Sequence, residues 1–372
     1  MPSVGEDSRA SIRFQRDGKA TSPMYRHLLA VTYDDVERGG PCAHVLANAP
    51  AGVDPIFEAM PLRFLGGVHR IVLEGRAPDL GECYPSVGGH FDADRPDDID
   101  RRFLEAVHEH RDELIVSLTR GLQTNEVGRC AALLLGFLAV ADETRLPLRV
   151  LEIGASAGLN LRWDHYRYEG GAHASAWGDP SSPLRFQGVY VEPLPSLDID
   201  AVVAERSGCD RNPIDASTAE GALTLRSFVW PDQLARFAAL DAALRVAADV
   251  PVSVDRAEAD DWVEAQLSSR RAGVTTVVYH SIVWQYMTAV TRTRLRHALD
   301  RAGSQATDEA PIAWLRMEPG QDPTKSAEVR LTRWPGRHER VVGRTGYHGR
   351  PVRSVPTQSS TARADAAPPT SP

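Results

Sequence analysis

The middle of the chain reads Leu148-Arg149-Val150-Leu151-Glu152-Ile153-Gly154-Ala155-Ser156-Ala157-Gly158-Leu159. The first six residues are mostly leucine and β-branched side chains, which is typical of a buried parallel strand. Small residues follow from Gly154 to Gly158, and they predict a tight turn with a helix that begins near Gly158. Such a turn directs free backbone N–H groups and a helix N-terminus toward one point, so it suits an anionic ligand group.

Predicted strands and helices alternate after this turn. Strand-like runs occur at residues 250–254, 274–279 and 311–317, and helical stretches occur at 231–247 and 291–301. This alternation predicts βαβ units and a doubly wound, mainly parallel sheet, so the expected fold class is α/β. Apolar and polar side chains alternate around Trp334-Pro335-Gly336, which predicts a terminal antiparallel hairpin.

The half of the chain before Leu146 has a helical pattern instead. Ile99, Phe103 and Val107 recur at helical spacing, and Thr124 is expected to cap the helix whose apolar body begins at Cys130. Residues 163–206 are expected to be an insertion with a short hairpin near 184–191. The predicted division is a disordered N-terminus (1–10), a helical region (11–145), a sheet domain (146–355) and a disordered tail (356–372).

The composition is that of a globular protein with a core of normal size. Apolar residues make up 42% and charged residues 25% of the chain. The 42 Lys and Arg against 50 Asp and Glu give a net charge of −8, which disfavours a general nucleic-acid-binding protein because such proteins usually carry a basic excess. We therefore expect a small molecule rather than a nucleic acid as the partner. The composition does not indicate the oligomeric state.

The cysteines and the apolar runs bear on the cellular setting. The four cysteines are far apart and form no C-x-x-C pair, so neither a disulfide scaffold nor a clustered metal site is predicted. Residues 1–19 are polar and lack the apolar core of a signal peptide. The longest apolar run, 131–141, is far shorter than the roughly 20 residues that cross a bilayer. We expect a cytoplasmic protein that does not enter membranes.

The spacing of the glycines in the turn separates the possible ligands. A dinucleotide fingerprint, G-x-G-x-x-G, fails because its second glycine position is Ser156 and its third is Leu159. A Walker A loop fails because no Gly-Lys-Ser/Thr follows. A hydrolase elbow is also disfavoured, since Ser156 lies between alanines without the G-x-S-x-G flanks.

The form E-x-G-x-S-x-G resembles motif I of the class I S-adenosylmethionine-dependent methyltransferases, with serine in place of the usual central glycine. The resemblance implies a Rossmann-like methyltransferase fold and S-adenosylmethionine as the cofactor. The turn would then hold the amino-acid tail of the cofactor, and the residues involved would be Glu152, Gly154, Ser156, Gly158 and Asn160. Glu152 is an acid in an apolar strand, so its burial requires a partner such as a cofactor group or a loop amide.

The same resemblance implies an acid after the second strand that holds the ribose hydroxyls. Asp210, in the segment Ser207-Gly208-Cys209-Asp210, is the matching acid. Its separation from Gly158 is longer than the roughly 20 residues of a simple unit, so the intervening insertion must loop out. Glu192 and Asp179 are alternatives for this role.

Two further segments are similar to cofactor-binding parts of that family. Asp260, Asp261 and Trp262 resemble the segment that meets the adenine. The alternative for them is an ordinary helix start, where acids complement the dipole. Thr124 and Asn125 open the helix before the glycine strand, and the resemblance places this helix start near the methionine end of the cofactor.

The chain from about residue 14 to 355 also resembles an uncharacterised bacterial family that is grouped with methyltransferase-like proteins. The matching segments are 123–129, the glycine turn, 208–215, 230–233, and 280–281 with 284–286. That family has no established substrate. The resemblance therefore implies a fold and a cofactor class rather than a particular reaction.

The residues after the strand at 274–279 are expected to face the substrate, because ligands of open parallel sheets lie beyond the carboxyl ends of the strands. Methyl transfer is an in-line displacement that depends mainly on alignment. A base is needed only where the acceptor must lose a proton. We predict His280 as this base or as a hydrogen-bond partner of the substrate, with Tyr286 and Trp284 shaping the pocket. The alternative is a histidine that merely packs at a strand end.

These features together predict S-adenosylmethionine-dependent methyl transfer to a small molecule, with the helical region helping to enclose the acceptor. A non-catalytic metabolite-binding protein on the same fold is the first alternative, since the central glycine is missing and no unmistakable catalytic set is present. An NAD(P)-dependent oxidoreductase is the second, and the glycine spacing disfavours it. The lack of an Asp/Asn-Pro-Pro-Tyr/Phe segment argues against a nucleic-acid adenine methyltransferase.

Overall fold

The structure is a computed structural model that describes residues 22–49, 60–95, 97–119, 121, 123–172, 175–320 and 326–355. The segments expected to be disordered, 1–10 and 356–372, lie outside these residues. Where the chain is described, helices occupy it up to Thr144 and the first strand begins at Leu148. The pattern therefore changes from helical to α/β at residues 145–147.

The helices before the first strand form two groups. Those up to Ser117 are α1 (Pro23–Arg38), α2 (Pro41–Ala47), α3 (Met60–Leu73), α4 (Pro78–Gly81), α5 (Asp97–Glu109) and α6 (Arg111–Ser117). They share an apolar core in which the rings of Phe64 and Phe103 meet edge to face. The next helix, α7 (Cys130–Thr144), is buried on nearly all sides and packs in the core of the sheet. Continuous apolarity rather than one apolar stripe is what such a fully covered helix requires.

Two sheets are present in the described residues. Their strands are β1 (Leu148–Ile153), β2 (Arg167–Glu169), β3 (Ala176–Gly178), β4 (Arg185–Phe186), β5 (Tyr190–Val191), β6 (Val203–Asp210), β7 (Ser253–Arg256), β8 (Thr275–Ser281), β9 (Ile312–Pro319), β10 (Ala327–Trp334), β11 (His338–Thr345) and β12 (Val352–Ser354). β2, β3 and β4 form the smaller sheet, and the other strands form the larger one.

The central part of the large sheet is parallel. Its strand order is β7-β6-β1-β8-β9, followed by β10, β11, β12 and β5. β1 pairs in parallel with β6 and β8, and β7 and β9 extend this parallel part on either side. β10 and β11 form an antiparallel hairpin, to which β12 adds. The predicted α/β class, with a mostly parallel sheet and a terminal hairpin, is confirmed.

Helices cover both faces of the large sheet. α8 (Ala219–Ser227) and α9 (Leu234–Asp249) contribute to the same apolar core as α7. α10 (Ala259–Leu267) and α11 (Ala289–Ser304) contribute to a second core on the other face, with Val263 and Leu299. Burial on two faces explains why β1 and β8 consist mostly of leucine, β-branched and aromatic residues and show no regular alternation of apolar and polar side chains.

The segment between β1 and β6 differs from the predicted insertion with a single hairpin. β2 pairs antiparallel with β3 and parallel with β4 in the small sheet. β5 leaves that sheet and pairs with β12 at the edge of the large one. The hairpin predicted near 184–191 is therefore wrong. Gly188, at a φ of 61°, lies between β4 and β5 and turns the chain from one sheet to the other.

Three further features concern the described residues as a group. None of their helices has the length and apolarity that spanning a bilayer takes. Their four cysteines are buried and free. No group of His, Cys, Asp and Glu among them is arranged to hold a metal ion.

Candidate functional site

The glycine turn lies at the point where the strand order of the parallel sheet reverses. β1 is flanked by β6, the next long strand in the chain, and by β8, to which the chain returns after β7. Ligands of open α/β sheets bind outside the carboxyl ends of the strands at this kind of switch point. A cavity of about 290 Å³ lies at the opposite ends of these strands, lined by Thr276 and Ile312 near the starts of β8 and β9, so it is remote from the switch point.

The backbone of the turn is left-handed at alternate positions. Gly154, Ser156 and Gly158 have φ values of 68°, 53° and 66°. Glycine adopts this region readily, whereas Ser156 adopts it at a cost. A Cβ on Gly154 would lie 2.7 Å from a methyl carbon of Val283, and one on Gly158 would lie 2.8 Å from a methyl carbon of Val252. The side chains of Val283 and Val252 therefore occupy the space beside the small residues, where a ligand was expected to approach.

The expectation of free backbone N–H groups in the turn is corrected by the structure. The N–H groups of Gly154 and Ala155 donate to the carbonyl of Cys209, and that of Gly158 donates to Ala155. Ser156 N–H donates to Asp210 Oδ2 at 3.0 Å. The side-chain oxygen of Asn125 accepts from the N–H groups of Ala157 and Leu159, at 3.2 and 2.9 Å. Each N–H from 154 to 159 therefore has a protein acceptor, as buried backbone donors require.

The helix expected to begin near Gly158 is also corrected. Residues Asn160–His165 form a short 3₁₀ helix with a break at Arg162, and β2 follows directly. The Arg162 guanidinium bonds the carbonyls of Gly158 and Val250, so a side chain takes the place of helical hydrogen bonds. Because there is no long helix here, the turn lacks the helix dipole that the sequence pattern suggested.

Gly154→Ala is expected to destabilise the protein more than Gly188→Ala. Both glycines have positive φ, which costs an alanine about 1–2 kcal/mol. A Cβ at Gly188 would meet no atom within 4 Å, whereas one at Gly154 would overlap Val283. Overlap in a packed region adds about 1–3 kcal/mol. Denaturant unfolding of both variants measures this difference, and equal losses would mean that Val283 does not press on the turn.

Glu152 is a buried acid in the centre of the site. Its Oε2 accepts a hydrogen bond from the Tyr279 hydroxyl at 3.1 Å. Burial raises its pKa from 4.5 to about 8, although hydrogen bonds from Tyr279 and Asn160 act in the opposite direction. Asn160 in turn accepts from the Cys130 thiol at 3.2 Å. At neutral pH Glu152 is therefore mostly a neutral carboxylic acid held between β1, β8 and α7.

Of the three acids considered as partners of the ribose hydroxyls, Asp210 is the one that contacts the turn. Its Oδ2 accepts from Ser156 N–H, and its Oδ1 accepts from Asn212 N–H at 2.8 Å. Asp179 is bonded to Ser181, two residues away, and Glu192 accepts from the N–H of Leu194. The structure thus brings Asp210 to the turn and leaves the other two acids in local contacts.

The residues predicted to meet the adenine are engaged with other side chains. Asp260 is buried and pairs with Arg294 at 2.9 Å, and Asp261 pairs with the same arginine at 2.5 Å. Trp262 is buried and donates its ring N–H to Asp255 at 2.8 Å. Both acids lie in the first turn of α10, which fits the alternative of acids that complement a helix dipole.

His280 is wholly buried at the end of β8. Its Nδ1 contacts Glu318 Oε1 at 2.7 Å, and its ring stacks on Trp284 with 5.4 Å between centroids. Nε2 has no hydrogen-bond partner in the described part of the chain. Tyr286 is 44% exposed and lies in a short 3₁₀ turn with Trp284. Because His280 has no exposed surface, contact with a substrate requires the side chains that cover it to move, and its role as a base stays a prediction.

The segment before α7 positions its polar residues differently from the expectation. Thr124 is exposed and does not cap the helix. Glu126 instead accepts from Gly128 N–H and caps the 3₁₀ turn that leads into α7. Asn125 caps the glycine turn rather than its own helix. Ser156 Oγ also donates to Gln123 at 2.9 Å, so this segment and the turn hold each other in place.

Sequence reasoning missed an ionic cluster beside this segment. Glu126 is buried, pairs with Arg236 at 2.6 Å and contacts His348 Nδ1 at 3.1 Å. Burial alone would raise the pKa of Glu126, but the hydrogen bond from His348 and the charges of Arg236 and Arg129 outweigh it and lower the pKa to about 2. Arg236 and His348 both lie far from Glu126 in the chain, so no local pattern signals them. The only signal in the sequence was the position of the acid Glu126 just before a predicted helix.

A family model for an uncharacterized protein conserved in bacteria (DUF2332) matches residues 10–354. The matched part contains the described helices α1 to α11 and the described strands β1 to β12, so it spans the helical region and the sheet together. Neither the curated proteins nor the solved structures include a match to the chain.

Proposed function

This chain belongs to the uncharacterised bacterial family DUF2332, and we propose that it is an S-adenosylmethionine-dependent methyltransferase-like protein that acts on a small molecule. The observation that carries the proposal is the position of the E-x-G-x-S-x-G turn at the switch point of a parallel sheet. The central order β7-β6-β1-β8-β9 is the order 3-2-1-4-5 of a Rossmann-like sheet when its five strands are numbered along the chain. The proposed fold is accordingly the Rossmann-like class I methyltransferase fold.

The residues of the turn support a nucleoside cofactor in two ways. Asp210 lies beside the turn, where an acid for the ribose hydroxyls is needed. Glu152 is a neutral acid at the end of β1, and a cofactor ammonium group nearby would favour its ionised form. The cofactor would supply an activated methyl group. The roles of this chain's residues are to bind and orient it, and the proposed set includes Gly154, Ser156, Gly158, Asn160, Asn125 and Thr124.

Binding requires a change in the turn as it stands. Asn125 occupies the N–H groups of Ala157 and Leu159, and Val283 packs on Gly154. The carboxylate of the cofactor is an acceptor that can replace the Asn125 oxygen, so the exchange leaves no buried donor unpaired. The closed turn is then the ligand-free state, in which the Asn125 oxygen holds the two N–H groups that the cofactor carboxylate would take over.

A methyl-transfer assay tests the catalytic part of this proposal. The intact protein is incubated with S-adenosylmethionine and a panel of small alcohols, amines, thiols and carboxylic acids, and S-adenosylhomocysteine is measured. We expect turnover with at least one acceptor class and a large loss in His280→Ala. Near-normal turnover in that variant would remove the role of His280 as a base. His297→Ala is a matched control, because His297 is an exposed histidine on α11.

A non-catalytic metabolite-binding protein on the same fold is the second candidate. The closed turn and the burial of His280 favour it, since both make the predicted catalytic residues inaccessible. Binding of S-adenosylmethionine without methyl transfer across the acceptor panel would select this candidate over the first.

A further inference from the structure

A cavity of about 120 Å³ lies between the helical region and the carboxyl edge of the sheet. Its walls come from α1 and α3, from the segment before α7, from α9 and the residues that precede it, and from the loop after β11. We call it the interface cavity, and its lining includes Tyr25, Glu126, Arg129, Trp230, Arg236 and His348. A volume of this size has room for about four water molecules, so a ligand would have only a few non-hydrogen atoms.

The charges that line the interface cavity are not balanced. The carboxylate of Glu126 is engaged by Arg236 and His348. Arg129 donates to the carbonyls of Tyr347 and Ser281, at 3.1 and 3.0 Å, and pairs with none of the described carboxylates. Burial lowers the pKa of Arg129, which means that its charge is poorly solvated. Among the lining side chains, two guanidinium groups stand against one carboxylate, so the lining carries an excess of positive charge and favours an anion.

The hydroxyl group of Tyr25 is a second, independent sign of a missing partner. Tyr25 is 2% exposed, and its hydroxyl oxygen has no hydrogen-bond partner among the described residues. Within the same residues, Nε of Arg236, another side chain of the cavity lining, is also buried without a partner. Because buried polar groups in folded proteins are nearly always hydrogen-bonded, these atoms indicate a polar molecule in the cavity.

We propose that the interface cavity binds a small carboxylate, with its oxygen atoms held by the guanidinium group of Arg129 and the hydroxyl of Tyr25. A planar carboxylate suits a guanidinium group, which offers parallel N–H donors. The ring of Trp230, 5.7 Å from that of Tyr25, forms an apolar wall for the rest of the molecule. This site goes beyond the proposed cofactor turn, and its existence does not depend on methyl transfer.

Tyr25→Phe is the decisive variant for this site. The substitution removes an oxygen atom that has no partner in the described structure, so it leaves no other buried group unsatisfied and the protein is expected to fold normally. Tyr84→Phe is a matched control. Tyr84 is also buried with an unpartnered hydroxyl among the described residues, but it does not line the cavity.

The test is a calorimetric or chemical-shift titration of the intact protein with acetate, glycine and inorganic phosphate at constant ionic strength, with chloride as the reference anion. We expect acetate or glycine to bind with a Kd on the order of 1 mM, about −4 kcal/mol. Tyr25→Phe should raise that Kd about tenfold, and Tyr84→Phe should leave it unchanged. Acetate alone would indicate a simple carboxylate, whereas preference for glycine would indicate an amino acid.

Three outcomes would overturn the proposal. They are the absence of binding by both carboxylates, binding by phosphate alone, and equal effects of Tyr25→Phe and Tyr84→Phe. Titration of the same variants with S-adenosylhomocysteine distinguishes the interface cavity from the proposed cofactor site at the glycine turn. We expect Tyr25→Phe to leave that titration unchanged, because Tyr25 does not contact the glycine turn.

Discussion

Glu152→Gln is expected to stabilise the protein at pH 8 and to leave its stability nearly unchanged at pH 4. The pKa of Glu152 rises from 4.5 to about 8 on folding because the side chain is buried. A raised pKa in the folded state means that the stabilising protonated form is fully present below pH 4.5 and is lost as the pH rises to about 8. A tenfold change in proton affinity corresponds to about 1.4 kcal/mol, so the variant should gain about 3–4 kcal/mol at pH 8 relative to pH 4.

The measurement is denaturant unfolding of the wild type and the variant at several pH values between 4 and 8. Glutamine keeps an oxygen that accepts from the Tyr279 hydroxyl, so the packing around β1 and β8 is preserved. Glu264→Gln is a suitable control, since Glu264 forms a solvent-exposed pair with Arg301 and such pairs contribute about 0–1 kcal/mol. A constant difference between Glu152→Gln and wild type across this pH range would contradict the assignment of a neutral Glu152.

Glu126→Gln is expected to destabilise the protein at pH 7, by an amount similar to the stabilisation expected for Glu152→Gln at pH 8. The substitution leaves Arg236 without its carboxylate partner and removes the acceptor charge beside His348. Breaking a buried ion pair by removing one partner typically costs about 3–5 kcal/mol. The pKa of Glu126 is lowered to about 2 in the folded state, so its contribution is present above pH 4.5 and is lost as the pH falls toward 2.

Acid unfolding of Glu126→Gln and wild type tests this second prediction. The wild type should lose its advantage over the variant as the pH falls from 4.5 to 2, and the two curves should converge. The Glu264→Gln control should follow the wild type. Equal stabilities of wild type and Glu126→Gln at pH 7 would show that the cluster of Glu126, Arg236 and His348 does not hold the segment before α7 in place.

The apolar strands could be predicted from the sequence because their physics is local. β1 and β8 are buried on both faces, and leucine, β-branched and aromatic side chains make up most of each strand. β6 has exposed or partly exposed positions over most of its length and lacks such a composition, so only its end at Asp210 was anticipated, by resemblance. β7 begins three residues later than predicted, because Val250 closes α9 before the strand starts.

The contacts of the site depended on residues that are distant in the chain. The pattern from Glu152 to Gly158 predicted a tight turn correctly, but nothing in it shows which groups accept its N–H bonds. Asn125 reaches the turn from 32 and 34 positions away. The pairing of Glu126 with His348 spans 222 positions. Periodicity and spacing report local structure, whereas these contacts are set by the packing of α7 and the loop after β11 on the sheet.

An NAD(P)-dependent oxidoreductase is distinguishable by ligand stabilisation. A ligand that binds the native state alone raises the unfolding temperature. We expect S-adenosylhomocysteine to stabilise the protein and NAD(P) to leave it unchanged, since Ser156 and Leu159 replace two glycines of the dinucleotide fingerprint. Selective stabilisation by NAD(P) would favour the oxidoreductase.

The most direct test of the proposed cofactor site at the glycine turn is a calorimetric titration of the intact protein with S-adenosylhomocysteine, repeated with Gly154→Ala and with Gly188→Ala. A Cβ at Gly154 forces Val283 and the turn apart, whereas one at Gly188 meets no neighbour. We predict one binding site per chain in the wild type and in Gly188→Ala, and a loss of affinity of at least tenfold, about 1.4 kcal/mol, in folded Gly154→Ala. No measurable binding in the wild type, or unchanged affinity in folded Gly154→Ala, would contradict the proposed cofactor turn.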